Sequence, residues 1–277
     1  LRMKVGLVGL PEVGKTTLFN ALTRQEIPLN TYGGVKEEVH LGSVIVPDER
    51  FDFAVQACRP KKQAPATVDI TDGGAKVQIN ESREKFGSDF FAGVRNMDAL
   101  VLVVRAFNND VLPPADPGKD AARILEELLL ADLTIIEGRL ERLEKNKLMK
   151  RTTPAEAAEH QVLLRIKTHL DNLKPVRTLE LSTEEERSIR SYAFVSGKPL
   201  IIVGNLGEED LGTPSPAITA SLREFATTNH LELVELCAKI DMEVSQMEPD
   251  EEREFLAAMG IEEPARNKLV RAAYAAL

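Results

Sequence analysis

Residues 9 to 17 read Gly-Leu-Pro-Glu-Val-Gly-Lys-Thr-Thr, so Gly9, Gly14, Lys15 and Thr16 complete the pattern GxxxxGK[ST]. Those residue types at that spacing suit the gripping of a polyphosphate. The glycines let backbone N–H groups turn toward phosphate oxygens with no Cβ in the way. A helix N-terminus directly after the loop adds positive potential. Lys15 is placed to reach the β- and γ-phosphates, and the Thr16 hydroxyl is a hard oxygen donor for Mg²⁺. Glu12, Val13, Gly14, Lys15, Thr16 and Thr17 are therefore the candidate phosphate-wrapping residues.

The elements that such a loop requires are present on both sides. The apolar run Met3 to Val8 reads as a buried strand entering the loop, and Leu18, Phe19, Ala21 and Leu22 have helical spacing after it. Phosphate chemistry of this kind also needs a carboxylate at the end of a second strand, to hold the metal's water shell. Asp69 and Asp72 both qualify, and Asp72 is the better placed because it follows the expected strand Val68 to Thr71. Lys15 and Asp72 are thus the candidate catalytic pair, and Thr16 with Asp72 the candidate metal site. Base recognition is expected after later strands, at the carboxyl edge of the sheet. Asn205 to Glu208 and Cys237-Ala238-Lys239 occupy such places, although Asn205 alone also fits an ordinary strand end.

The remaining pattern predicts an α/β domain with a largely parallel sheet flanked by helices. Strands are expected at 41–46, 67–71, 99–104, 199–203 and 232–236, and helices at about 48–57, 86–96, 215–229, 249–259 and 264–276. Residues 73–85 read as polar and irregular. Pro113, Pro114, Pro117 and Gly118 break the pattern. From Lys119 onward Ile124, Leu128, Ala131, Ile135, Leu140 and Leu143 follow helical spacing, repeated by Ala155, Val162, Ile166, Leu170 and Leu173. Two such helices with a short link predict an antiparallel hairpin inserted into the nucleotide domain, with Ser182 and Glu185 as a capping box for a further helix. The expected division is 1–118 and 195–277 for the nucleotide domain and 119–194 for the helical insertion. A nucleotide kinase would need an acceptor pocket and a basic lid where this hairpin lies.

Bulk properties narrow the class. A chain of 277 residues with 43% hydrophobic and 29% charged residues has the composition of an ordinary globular protein. A net charge of −9 argues against attraction of the whole surface to nucleic acid or membrane. No apolar run reaches the length of a membrane span, and no secretory signal pattern precedes the first strand. The two cysteines, Cys58 and Cys237, have neither metal nor disulfide spacing and read as buried free thiols of a reducing compartment. A cytoplasmic location is the expectation.

Longer stretches make a resemblance specific. Gly6-Leu-Val-Gly-Leu-Pro11, Gly14 through Thr23, Val46-Pro47-Asp48, Asn205-Leu-Gly-Glu208, Cys237-Ala238, Asp250-Glu-Glu-Arg253 and Gly260-Ile-Glu-Glu-Pro264 leading to Arg271-Ala-Ala-Tyr274 resemble the Obg-like ATPase subfamily, the YchF type, of translation-factor-related P-loop GTPases. The resemblance spans essentially the whole chain. It implies a nucleotide domain, an inserted helical arm and a C-terminal TGS domain, which would begin where this sequence ends, so a chain lacking that domain is expected. It also implies that Asn205, Leu206, Glu208 and Ala238 read the base. The usual guanine-reading motif is NKxD; here Leu206 replaces its Lys and Glu208 its Asp, which implies ATP acceptance with GTP also accommodated, and Mg²⁺ as the cofactor.

Three departures bear on turnover. The family carries Asn where this chain has Glu12. Lys36 aligns with the metal-binding Thr of the first switch, and an ammonium group cannot ligate Mg²⁺. In the second switch Ala75 replaces the DxxG glycine and Lys76 an apolar residue. These changes predict slow hydrolysis, the alternative being a nucleotide-dependent binding module that does not hydrolyse. Finally Arg139, Arg142, Lys145, Lys147, Lys150 and Arg151 gather near the hairpin tip. Diluted by Glu137, Glu141 and Glu144, they fit a solvated helix face; the family's association with ribosomes implies contact with ribosomal RNA as the functional alternative.

Overall fold

The computed structural model describes residues 2–29, 39–73, 77–80, 83–86, 88–109, 112–211, 216–259 and 263–276. Lys36, Ala75 and Lys76 lie outside them. In chain order the elements are β1 (Arg2–Val8), α1 (Lys15–Thr23), β2 (His40–Ile45), α2 (Glu49–Cys58), β3 (Thr67–Asp72), β4 (Val77–Asn80), β5 (Arg83–Phe86), α3 (Ser88–Arg95) and β6 (Ala99–Ala106). There follow α4 (Pro117–Leu148), α5 (Pro154–Asp171), α6 (Thr183–Ile189), β7 (Leu200–Leu206), α7 (Pro216–Thr228), β8 (Glu232–Leu236), α8 (Ala238–Ser245), α9 (Pro249–Ala258) and α10 (Ala265–Ala275).

Six strands form one sheet in the order β2-β3-β1-β6-β7-β8. The five from β3 to β8 are mutually parallel and β2 runs antiparallel to β3 on the edge. The central strands β6 and β7 are buried along their whole length, which explains their unbroken Val, Ile and Leu runs. Two apolar layers cover the sheet. On one face α1 and α10 contribute Leu18, Phe19, Leu269 and Val270 against Val5, Val101 and Val203. On the other, α3, α4 and α7 contribute Phe90, Ile124, Leu128 and Leu222 against Leu100, Leu102 and Ile202. Parallel order brings the carboxyl ends of β1, β3, β6, β7 and β8 to one edge, where the chain's polar loops gather.

The predicted hairpin is α4 and α5. Asn146 Nδ2 donates to Glu156 at 3.0 Å, Arg139 binds Glu159, and Lys167 binds Glu137, the pairing of two antiparallel helices. Ser182 and Glu185 form the capping box at α6 that the sequence predicts, and Thr153 with Glu156 forms a second one at the start of α5. Leu129, Ile136, Leu140, Leu143, Leu163 and Ile166 build a third core between the two helices. α4 is a single helix of 32 residues that begins against the sheet and passes residue 119 without a break.

The structure differs from expectation at several points. Residues 73–85, expected to be irregular, contain the two-stranded β4-β5 ladder; the alternation of Val77 and Ile79 with Gln78 and Asn80 is too short to stand out beside Arg83-Glu84-Lys85. The strands β3 and β7 run to Asp72 and Leu206, so Asp72 and Asn205 belong to strand ends rather than to the loops after them. Helix α8 is additional. Its buried positions are Ala238, Asp241, Val244 and Ser245, a face with little apolar character to mark the period. Cys58 is exposed, and only Cys237 is buried; α2 packs no fully buried side chain.

One buried carboxylate fixes the junction of arm and sheet. Asp132, fully buried in α4, accepts from Val195 N at 3.0 Å and Ser196 N at 2.8 Å. These N–H groups begin the return of the chain to β7. Lys198 then donates to the carbonyls of Arg95 and Met97 at 2.9 and 2.5 Å. Burial raises the Asp132 pKa above the ordinary carboxylate value of 3.8, against the lowering effect of the Ser196 and Val195 contacts and of Arg95. An acid with a raised native pKa holds more protons folded than unfolded, so its contribution to stability falls as pH rises from the unfolded value through the native one. Asp132→Ala leaves two buried N–H groups without partners and is expected to cost about 2 kcal/mol at pH 7. Urea melts at pH 4, 5.5 and 7 check both points: the wild-type lead over the variant should shrink as pH rises, and an equal lead throughout would contradict the raised pKa.

Candidate functional site

β1 ends at Val8 and the loop Gly9–Gly14 carries the chain to the first residue of α1, Lys15. Gly14 has φ of 92°, a left-handed conformation that favours glycine, and a Cβ there would lie 2.3 Å from Asn205 Nδ2. At Gly9 a Cβ would meet the Val103 carbonyl oxygen at 2.5 Å. Both glycines of the motif are thus dictated by close approach of the loop to β6 and β7. The first turn of α1 has neither a side-chain cap nor an acidic residue, so its N–H groups keep their capacity for an anion.

Within the loop Val13 is buried in the core beside Leu18 and Phe19. Lys15 is also buried, and its ammonium donates to the Leu10 carbonyl at 2.7 Å, spanning the loop. Thr16 Oγ1 donates to Asp72 Oδ2 at 2.8 Å. Asp72 is only 3% exposed, and its Oδ1 is buried without a hydrogen-bond partner in the structure described. A buried carboxylate oxygen with nothing to accept from is costly, and beside a threonine hydroxyl it offers the oxygen ligation that a hard cation takes. Thr17 is partly buried in the same turn. Glu12 is exposed with φ of 62°. It lines a cleft that Leu10 to Val13 of the loop share with Arg105, Asp116, Lys119 and Arg123.

The second half of the chain meets the loop through Asn205. Its Nδ2 donates to the Val13 carbonyl at 2.9 Å, and its Oδ1 accepts from Ala238 N at 3.0 Å. One amide therefore joins the phosphate-type loop, the end of β7 and the start of α8. Leu206 is buried at the end of β7. Glu208 stands in the 3₁₀ turn after it and is ion-paired with Lys239 of α8. The buried Cys237 thiol next to Ala238 has its pKa pushed up by burial. Sequence reasoning placed Asn205, Glu208 and Ala238 at one edge but missed the Asn205–Val13 contact and the Lys239–Glu208 pair. The nearest signal was Lys239 itself, within Cys-Ala-Lys.

At the far end of the arm Arg142, Lys145, Lys147, Lys150 and Arg151 are exposed, around Leu148 and Met149 at 85% and 60% exposure. Arg139 differs from them. Its guanidinium makes a two-pronged contact with Glu159 at 3.0 and 2.7 Å, and Glu159 also accepts from the Tyr192 hydroxyl. The hydrogen bond to Glu159 raises the Arg139 pKa, and burial with that same carboxylate pushes the Tyr192 phenol up to about 12. Arg139 thus binds the arm together rather than presenting charge at its tip. Among the described residues no helix is long and apolar enough to cross a membrane.

Comparison with known proteins gives a consistent result. The profile of a family described as "50S ribosome-binding GTPase" matches residues 4–137. A Haemophilus influenzae protein named ribosome-binding ATPase YchF is 36% identical over 99% of this chain and 76% of its own length. The Bacillus subtilis protein of the same name is 33% identical over 100% and 76%. Obg-like ATPase 1 of Caenorhabditis elegans is 29% identical over 99% and 71%. The solved Schizosaccharomyces pombe YchF GTPase superposes with a TM-score of 0.84 at 27% identity, covering 100% of this chain and 76% of that one. At 33% and 36% identity over nearly its whole length to two proteins of that name, and with the fold of a solved member, this chain belongs to the YchF/Obg-like family of P-loop NTPases.

Proposed function

We propose that this chain binds a purine nucleoside triphosphate with Mg²⁺ at the carboxyl edge of its sheet, hydrolyses it slowly and engages the ribosome through the helical arm. The observation that carries this reading is the pair Thr16 and Asp72, hydrogen-bonded at 2.8 Å with Asp72 Oδ1 buried and unsatisfied beside an uncapped helix N-terminus. In that reading the Gly9–Gly14 loop and the first turn of α1 present N–H groups to the phosphates. Lys15 gives up the Leu10 carbonyl for the β- and γ-oxygens. Thr16 and Asp72 would hold the ion, the hydroxyl as an oxygen ligand and the carboxylate as acceptor for its water. Bound Mg²⁺ supplies neutralisation of the charge developing on the transferred phosphoryl group.

Asn205 holds the loop at the correct height, and Glu208 with the backbone around Leu206 and Ala238 faces the base. The glutamate and the absence of the motif lysine favour ATP, with GTP accommodated. The sequence at Lys36, Ala75 and Lys76 supports slow turnover, because none of the three supplies the ligand or the flexible glycine that fast hydrolysis uses. Residues 1–118 and 195–277 act as the nucleotide unit, and 119–194 as the partner-facing module. The relatives' names, ATPase and ribosome-binding, support both parts. The exposed cations of the tip, Arg142, Lys145, Lys147, Lys150 and Arg151, suit the polyanionic surface of ribosomal RNA.

Calorimetric titration with Mg·ATP tests the nucleotide site. Lys15→Ala should weaken binding about a hundredfold, roughly 2.7 kcal/mol, and unchanged affinity in a folded variant would remove the basis of the reading. Asp72→Asn keeps an acceptor for Thr16 but loses the charge. It should lower single-turnover hydrolysis about tenfold or more, with the loss greatest at low Mg²⁺; a wild type that shows no turnover at all would make the chain a binding module. For the arm, Lys147→Glu combined with Lys150→Glu should reduce co-sedimentation with ribosomes and flatten its salt dependence. Unaltered co-sedimentation would make the tip ordinary surface.

A further inference from the structure

Glu208 and Lys239 are brought together by two segments that the same asparagine positions. Glu208 follows β7 directly, in the turn Glu208–Asp210. Lys239 is the second residue of α8, and the helix's first N–H, that of Ala238, is bound by Asn205. The Lys239 ammonium donates to Oε1 of Glu208. The two side chains are 59% and 50% exposed, so the pair adds little to stability. Its consequence is chemical: one oxygen of the carboxylate is engaged, and a positive charge stands beside it.

A carboxylate reads guanine by accepting from two donors at once, the ring N1–H and the exocyclic amino group, and this uses both oxygens. Adenine presents a single amino donor next to N1, which is an acceptor and repels a second carboxylate oxygen. A glutamate with both oxygens turned to the base therefore favours guanine. A glutamate whose one oxygen is drawn toward an ammonium group is turned so that the other faces the base with a donor beside it, the complement of adenine's edge. We propose that Lys239 is a positioning residue for base choice, which holds Oε1 of Glu208 and so biases this site toward adenine. The proposal deepens the nucleotide-binding reading above and rests on it. The Glu208 hydrogen bond raises the Lys239 pKa above its ordinary value, so the ammonium persists throughout the neutral range.

The test is calorimetric titration of the non-hydrolysable β,γ-imido analogues of ATP and GTP, with Mg²⁺, into the full chain as wild type, Lys239→Met and Lys239→Arg. Methionine keeps the apolar stem without the charge. Lys239→Met should raise affinity for the GTP analogue relative to the ATP analogue by about tenfold, or about 1.4 kcal/mol, at an unchanged melting temperature. Lys239→Arg should keep the wild-type ratio. A ratio within twofold of wild type in Lys239→Met, with both analogues bound, would overturn this assignment and leave the nucleotide site standing. Failure of the wild type to bind either analogue would overturn the nucleotide reading and this inference with it.

Discussion

The whole site depends on one side-chain amide. Asn205 donates to the Val13 carbonyl and accepts from Ala238 N, so both ends of a single rigid group are committed to backbone in distant parts of the chain. The contact is nearly solvent-free, where an unmade hydrogen bond is costly. It also explains the second glycine of the motif. The amide nitrogen occupies the space that a Cβ at residue 14 would need, so the tight loop and the asparagine require each other. A sheet alone would bring the two segments to the same edge; the amide sets their separation and the height at which the loop crosses the strand ends.

The same logic divides what the sequence reveals from what it hides. The phosphate-type loop, its flanking strand and helix, the central strands and the α6 capping box were legible, because each is written in residues adjacent along the chain: Gly9 to Thr17, Ala99 to Val104, Ser182 with Glu185. Asp72 was legible as a carboxylate at a strand end. Its bond to Thr16 follows from the parallel register in which Leu7 stands opposite Asp72, which no local pattern encodes. Contacts made by charged or polar groups across long separations stayed hidden. Asn205 with Val13, Lys239 with Glu208 and Asp132 with residues 195–196 are examples. Helix α8 stayed hidden for a related reason: its inward face includes Asp241 and Ser245, tolerated there by tertiary packing and unmarked by hydrophobic period.

The tip of the arm shows why counting charges along a helix misleads. Six basic residues fall within thirteen positions, 139 to 151, yet Arg139 has its guanidinium bound by Glu159, which the Tyr192 hydroxyl joins. It stiffens the arm one turn below Leu143, where the core between the helices is still closed. Only beyond that point do exposed cations surround exposed Leu148 and Met149. The charge that remains for a partner is concentrated in the last turn of α4 and the link to α5, on an otherwise acidic protein.

Helix α4 joins these two regions as one continuous element. At a rise of 1.5 Å per residue its 32 residues span about 48 Å. Its first turn lines the same cleft as Leu10 to Val13 of the loop, and its last turn carries the basic tip. Ala121, Ile124, Leu125 and Leu128 belong to the layer on the sheet; from Leu129 onward the helix belongs to the core of the arm. Asp132 sits at the changeover and ties the returning chain to it. The arm therefore has no hinge of its own at this point. Its direction is set by how four apolar side chains seat on β6 and α7, and a small rotation there is carried along one continuous helix toward the tip.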